Sequence, residues 1–172
     1  MKYVQLGWSN EKVSRVCLGS MTWGVQNTQR EADDQIEYAL SRGVNFIDTA
    51  EMYPIPPSAD KYGDTERIIG NWLSRHQQQR KDIFLTSKIA GNGLPWIREG
   101  ADITGEAILR SVDASLQRLQ TDYIDLYQLH WPNRTSPHFA KHRPNYVTFS
   151  SVDRDSESSM MLEILQALNE CI

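Results

Sequence analysis

The chain has 172 residues, 40% hydrophobic and 23% charged, which is the ordinary composition of one globular domain. Its formal net charge of −4 leaves no basic surplus for nucleic acid or an anionic membrane surface. No apolar run approaches the roughly 20 residues of a membrane span, and the N-terminus lacks a signal-peptide core. Two cysteines, Cys17 and Cys171, form no disulfide framework or metal cluster. We therefore expect a cytoplasmic protein without a metal.

The first part of the chain predicts a β-hairpin, a buried strand and a helix. The segment "YVQLGWSNEKVSRVCLGS" has turn chemistry at Ser9-Asn10 and ends in a short apolar strand. A polar loop starts at Gly24. Residues 31–42 then have helical spacing of apolar side chains, and Gly43 stands where a helix would end. The inward face of this helix carries Ala32, Ile36, Ala39 and Leu40.

Three more strands follow, and each precedes a helix. The predicted strands are residues 44–49, "DIFLTSKIA" and "DYIDLYQLHWP", the last ended by Pro132. The loops after the first two are "EMYPIPPSADKYGD" and "GNGLPWIREGAD".

The predicted helices after these strands each have an apolar stripe. They cover residues 65–75, with Asp64 or Thr65 as the N-cap, residues 104–119, and residues 159–171. A polar stretch without periodicity, residues 132–158, precedes the last helix. The three stripes are Ile68, Ile69, Trp72 and Leu73; Ile108, Val112, Leu116 and Leu119; and Met161, Ile164, Leu165 and Leu168.

Strict alternation of strands and helices predicts an α/β fold of parallel strands with right-handed crossovers. An open doubly wound sheet and a (β/α) barrel both fit. The first strand is not followed by the G-x-G-x-x-G pattern of dinucleotide-binding sheets. Only four βα units are present, whereas a closed (β/α)₈ barrel has eight units and about 250 residues.

Three of the predicted strands finish on reactive polar groups: Asp48, Lys88 and His130. Tyr53 lies in the loop just beyond Asp48. The carboxyl ends of parallel strands meet on one rim, so we expect these four side chains to cluster there. Each alone is more simply explained by turn capping or packing, but four at equivalent positions favour an active site.

The charges of these groups suggest proton transfer to a developing alkoxide. A phenol has a pKa of about 10, and a neighbouring ammonium is expected to lower the pKa of Tyr53. The Asp48 carboxylate would keep Lys88 charged, and His130 could donate a hydrogen bond to a substrate oxygen. Side-chain alternation places Phe84, Thr86 and Lys88 on one face of their strand, toward a barrel interior, and Ile83, Leu85 and Ile124 toward the helices.

The sequence resembles the aldo-keto reductases, and most of all their Tas-like branch. That branch lies near the potassium-channel beta-subunit relatives. The matching stretches are "LGSMTWG", "GVNFIDTAEMYP", "TSKI" and "SLQRLQTDYIDLYQLHWP". The resemblance covers residues 1 to about 133 and extends through the last helix. It implies a (β/α)₈ TIM barrel, NADP(H) as hydride donor, and reduction of small aldehydes and ketones to alcohols.

The resemblance also implies roles for individual residues. Tyr53 matches the general acid, Lys88 the residue that lowers its pKa, Asp48 the partner of Lys88, and His130 the residue that orients the carbonyl. The implied cofactor contacts are Ser20, Met21, Gln26 and Asp48. The implied walls of the substrate pocket are Trp23, Trp96 and Trp131, although loop aromatics that merely cover the rim explain these as well.

The chain departs from the family in length, because members are nearly twice as long. We therefore expect an N-terminal half-barrel of about four βα units after a β-hairpin, one partial domain over residues 1–172. The absent half would carry most of the cofactor-binding groups. Three functions stay open: a carbonyl reductase of which this is one half, a cofactor-sensing or regulatory protein on the same scaffold, and an inactive product. The open edges of the sheet also predict self-association.

Overall fold

The computed structural model describes residues 1–133 and 154–172. The chain opens with an antiparallel hairpin, β1 (Tyr3–Gln5) and β2 (Lys12–Ser14), as predicted. Asn45 attaches the hairpin to the start of the main sheet, because its side chain accepts a hydrogen bond from the Ser14 N–H at 2.7 Å and donates to the Lys12 carbonyl at 3.2 Å.

The main sheet has four parallel strands in sequence order, as the alternating pattern predicts. They are β3 (Cys17–Gly19), β4 (Phe46–Asp48), β5 (Phe84–Ile89) and β6 (Leu126–Leu129). These strands are shorter than the predicted ones, because hydrophobicity reports burial rather than strand pairing. Val44, for example, is buried although it precedes β4.

Each neighbouring pair of parallel strands is connected through a helix. These helices are α1 (Gln29–Ser41), α2 (Asp64–Arg75) and α3 (Gly105–Leu119), and α4 (Arg154–Glu170) follows β6. Short 3-10 turns cover Gln77–Asp82 and Arg98–Gly100.

The helix ends show local signals that the apolar periodicity does not contain. Thr28 caps α1 in a capping box with Glu31, so the helix begins two residues earlier than predicted. Neither expected cap of α2 is correct, since Gly63 occupies the N-cap position and the Thr65 hydroxyl donates to the Trp23 carbonyl at 2.7 Å. Gly43 follows α1 with φ 77°, a conformation that favours glycine, as expected for a helix stop.

The core between the sheet and the helices confirms the predicted alternation of side chains on β5. Leu85 and Ile83 pack with residues of α1, α2 and α3 in one buried cluster. On the opposite face Phe84 is only 6% exposed and meets the Phe46 ring edge-to-face at 5.4 Å. Phe84 is therefore shielded from water even though β5 belongs to a half-barrel.

The last helix starts earlier than predicted and buries only part of its predicted stripe. Helix α4 begins at Arg154, five residues before the predicted start. Of the predicted stripe, Ile164 is buried and Leu168 packs in the same cluster, as expected, whereas Met161 and Leu165 are 43% and 55% exposed. The helix has two apolar arcs, and the sequence does not indicate which of them packs on α3.

Strands β3 and β6 each have one strand neighbour among the described residues, so each leaves an open edge. We expect the isolated 172-residue chain to self-associate at micromolar concentration, because unpaired strand edges recruit other chains and exposed apolar surface costs about 25 cal/mol per Å². Sedimentation velocity with a thermal melt measures this. Replacing the exposed residues Val16 and Leu162 by lysine should reduce the association. A wild-type chain that is a monodisperse monomer and melts cooperatively would contradict the predicted self-association.

Candidate active site

An ion pair between neighbouring strands forms the floor of the candidate site. The Lys88 Nζ lies 2.7 Å from Asp48 Oδ2 and also donates to the Thr49 carbonyl at 2.7 Å. The other oxygen of Asp48 accepts a hydrogen bond from the Thr86 hydroxyl at 2.7 Å. The lysine is thus held as a cation at the carboxyl end of the sheet.

Tyr53 and His130 lie beside this ion pair. The centre of the Tyr53 ring is 5.2 Å from Lys88 Nζ and 5.5 Å from the centre of the His130 imidazole, which it meets edge-on. The phenol packs in a buried cluster with Met52 and Ile97. The structure therefore brings together the four side chains that the sequence placed on one rim.

The direction of the pKa shift at Tyr53 differs from the expectation. Burial raises the pKa of the Tyr53 phenol above its usual value, and the negative charge of Asp48 raises it further. The expected lowering by Lys88 is therefore wrong for this structure. The Lys88 ammonium donates to Asp48 and to the Thr49 carbonyl, and burial and the Asp48 charge determine the direction of the shift. Tyr53 is consequently a protonated hydrogen-bond donor at neutral pH.

His130 is neutral at physiological pH. Burial, with a further contribution from the Lys88 cation, lowers the pKa of the His130 imidazole to about 4, although Asp48 and Glu51 oppose the shift. Its Nδ1 is buried, and no described residue hydrogen-bonds it. A neutral imidazole carries one N–H donor, the form needed to hold a carbonyl oxygen without transferring a proton to it.

The loop after β3 carries the three further positions expected to contact a cofactor. The Ser20 hydroxyl is buried and donates to the Asp48 carbonyl at 2.7 Å, so it fixes the loop against β4. Met21 and Gln26 have exposed side chains. None of the three is basic. These three positions therefore offer no charged side chain to the phosphates of a cofactor.

The three tryptophans expected around a substrate are placed differently from one another. Trp23 is 1% exposed, packs in the core between sheet and helices, and donates to the Gln35 side chain at 3.1 Å. Its expected place in a substrate pocket is wrong, because its ring lies behind the sheet. Trp96 is 37% exposed on the loop after β5.

Trp131 does lie at the candidate site. Its ring centre is 5.1 Å from that of His130, and its indole N–H donates to the Asn92 carbonyl at 3.2 Å. A Cβ atom on Gly91 would stand 2.1 Å from the Trp131 indole nitrogen, so this ring needs a glycine beneath it. Of the three tryptophans, Trp131 therefore has the position of a pocket wall.

Sequence reasoning missed Glu51, which lies between Asp48 and Tyr53 and has no exposed surface. Its carboxylate forms an ion pair with Arg98, with 2.8 Å between Oε1 and Nη1. A glutamate flanked by Ala50 and Met52 in an apolar loop was the only available signal, and it does not identify a partner 47 residues away.

Neither a metal-ligand cluster nor a membrane-spanning helix is found in the part of the chain that the structure describes. Residues 1–133 and 154–172 contain no group of three or more His, Cys, Asp or Glu side chains that could hold a metal ion. None of their helices is both long enough and apolar enough to cross a membrane.

Comparison with known proteins identifies relatives over nearly the whole length of this chain. The sequence model of the Aldo/keto reductase family matches residues 15–172. Protein tas of Escherichia coli is 39% identical over 99% of this chain and 48% of its own length. The chain thus spans about half the length of this curated relative.

Solved structures give the same result for the fold. The thermostable aldo-keto reductase Tm1743, crystallised with the inhibitor epalrestat, superposes over 99% of this chain and 49% of its own, with a TM-score of 0.64 and 28% identity. Aldo-keto reductase AKR11C1 from Bacillus halodurans, solved in its holo form, covers 75% of this chain and 40% of its own, with a TM-score of 0.61 and 34% identity. The predicted half of a (β/α)₈ barrel is confirmed.

Proposed function

Because the chain belongs to the aldo/keto reductase family of oxidoreductases, we propose that it supplies the catalytic half of an NADPH-dependent reduction of aldehydes or ketones to alcohols. The observation that carries the proposal is the cluster of a protonated phenol, a neutral imidazole and a lysine–carboxylate pair on one rim of the sheet.

In this proposal Tyr53 donates its phenolic proton to the carbonyl oxygen of the substrate. The nicotinamide cofactor supplies the hydride when bound. His130 holds the same oxygen through its N–H, and Lys88 stabilises the phenolate that remains after proton transfer. Asp48 holds the Lys88 ammonium through a contact of 2.7 Å, and this ammonium lies 5.2 Å from the centre of the Tyr53 ring.

The cofactor and substrate contacts are proposed on the same basis. Ser20, Met21, Gln26 and Asp48 border the place where the reacting end of the cofactor would lie, and a small carbonyl compound would bind beside Trp131, with Trp96 farther out on the rim. The holo form of the Bacillus halodurans relative supports a bound cofactor in this family. We also propose that residues 1–172 are one partial barrel domain.

The test uses a hybrid barrel, in which residues 1–172 are joined to the part of E. coli protein tas that they do not match. This hybrid should oxidise NADPH when an aldehyde is added. The isolated chain should not, and in a fluorescence titration it should bind NADPH much more weakly than the hybrid, because no basic side chain stands at the three loop positions.

Two outcomes would contradict the proposal. Micromolar NADPH affinity in the isolated chain would show that the first half holds the cofactor by itself. Tight NADPH binding by the hybrid barrel without turnover of any aldehyde or ketone would favour the regulatory, cofactor-sensing function instead.

A further inference from the structure

Glu51 makes an unusually complete set of contacts for a buried carboxylate. Its Oε1 accepts hydrogen bonds from the Ala90 N–H at 2.6 Å and Arg98 Nη1 at 2.8 Å. Its Oε2 accepts from the Tyr62 hydroxyl at 2.9 Å and the Ser111 hydroxyl at 2.8 Å. A buried charge is strongly unfavourable without such partners, so the carboxylate orders all four donors around itself.

These donors come from different segments that meet only here. Ala90 follows β5, Arg98 lies in the loop after it, Ser111 is on α3, and Tyr62 precedes α2. The Arg98 guanidinium also donates to the Ala90 carbonyl, so Glu51 and Arg98 together satisfy both backbone groups of Ala90. The end of β5 is thereby locked to the loop after β4.

The locked segments carry the candidate acid and its cation. Backbone hydrogen bonds from Thr49 N–H to the Thr86 carbonyl, 3.0 Å, and from Glu51 N–H to the Lys88 carbonyl, 3.1 Å, continue the pairing with β5 beyond Asp48. Tyr53 comes two residues after Glu51, and Lys88 two residues before Ala90. Any slip between the segments would change the 5.2 Å separation of the Lys88 ammonium and the Tyr53 ring.

We propose that Glu51 is a positioning residue, which holds the loop of Tyr53 against the end of β5 so that the phenol stands beside Lys88. The inference rests on the proposed function. The hydrogen bonds and ion pair of the Glu51 side chain go to Tyr62, Ala90, Arg98 and Ser111, so it acts on Tyr53 and Lys88 through the backbone of residues 49–53 and through Ala90. Misplacing a reacting group by about 1 Å can lower a rate about 100-fold, so the effect should fall on turnover.

A second buried glutamate provides a matched control. Glu66 is also fully buried, accepts from Ser87 at 2.5 Å, and pairs with Arg118 at 2.6 Å. It lies on α2, and its side-chain partners are outside the Tyr53 loop. Glu51→Gln and Glu66→Gln each leave a partly buried arginine without its carboxylate, so both should lower stability by similar amounts. Only Glu51→Gln should misplace Tyr53.

The experiment compares both variants in the hybrid barrel. Glu51→Gln should lower kcat about tenfold or more, with KM and NADPH affinity changed less than about twofold, and Glu66→Gln should leave kcat near wild type. Arg98→Lys, which keeps the charge but loses the two-armed contact with Glu51 and Ala90, should give a smaller loss of kcat and serves if Glu51→Gln does not fold. Equal losses in the two glutamine variants, or none in either, would overturn the inference.

Hydrogen exchange separates this inference from the proposed function. Amides of residues 49–53 and Ala90 should exchange about tenfold faster in Glu51→Gln than in wild type, and at the wild-type rate in Glu66→Gln, whether or not the barrel reduces a carbonyl. If the wild-type hybrid is inactive but shows this exchange pattern, the proposed reaction is contradicted and the positioning role of Glu51 is supported. Unchanged exchange in Glu51→Gln would overturn the positioning role, even in an active enzyme.

Discussion

Replacing Tyr53 by phenylalanine is expected to reduce turnover of a carbonyl substrate by the hybrid barrel about 10²–10⁴-fold, the range for loss of a general acid. The phenol is protonated at neutral pH, since burial and Asp48 both raise its pKa. Phenylalanine keeps the ring that packs with Met52 and Ile97 and removes only the transferable proton. The loss should therefore appear in kcat.

NADPH affinity separates this role from a binding role. In a fluorescence titration Tyr53→Phe should bind NADPH nearly as well as wild type, because the proposed cofactor contacts lie on the loop after β3 and at Asp48. Tyr38→Phe, on the exposed surface of α1, is the matched control and should change neither quantity. Parallel losses of turnover and NADPH affinity in Tyr53→Phe would show that the phenol does not act as the acid.

Gly70→Ala is expected to lower the free energy of unfolding by about 3 kcal/mol, the upper end of the usual cost of overpacking. A Cβ atom on Gly70 would stand 2.1 Å from the carbonyl oxygen of Arg118 and 2.8 Å from the carbonyl carbon of Leu119. The obstacle is the backbone of α3, which cannot rotate away as a side chain can. Helices α2 and α3 would have to separate, and the buried Glu66–Arg118 pair would loosen with them.

Denaturant unfolding of the hybrid barrel measures this effect. Gly19→Ala is the matched control, since no heavy atom of the described residues other than its chain neighbours lies within 4 Å of its added Cβ. It should change the unfolding free energy by less than about 0.5 kcal/mol. Equal stability of the two alanine variants would mean that α2 and α3 do not cross as closely as the structure shows.

The sequence by itself determined the parallel sheet and the place of the candidate site. Alternating strand and helix patterns leave few topologies, and right-handed crossovers put every strand end on one rim. Asp48, Lys88 and His130 could therefore be assigned to one cluster, and the Tyr53 loop with them. These inferences need only the periodicity of each segment and a general rule about how βα units connect.

Only the tertiary structure decided which way the ambiguous side chains face and what they meet. Trp23 could have turned toward a pocket or toward the helices, and α4 could have packed through either of its apolar arcs. Both choices depend on neighbouring surfaces that are distant in the sequence. In each case burial favours the arrangement that hides more apolar surface, which a single segment does not reveal.

The electrostatics of the site were likewise decided by the fold. The pKa of Tyr53 is raised first by burial and then by the charge of Asp48, and the fold supplies both. Glu51 finds Arg98 and Ser111 at separations of 47 and 60 residues. Charges and hydrogen bonds act over a few ångströms, so their partners are known only once the chain has brought those residues together.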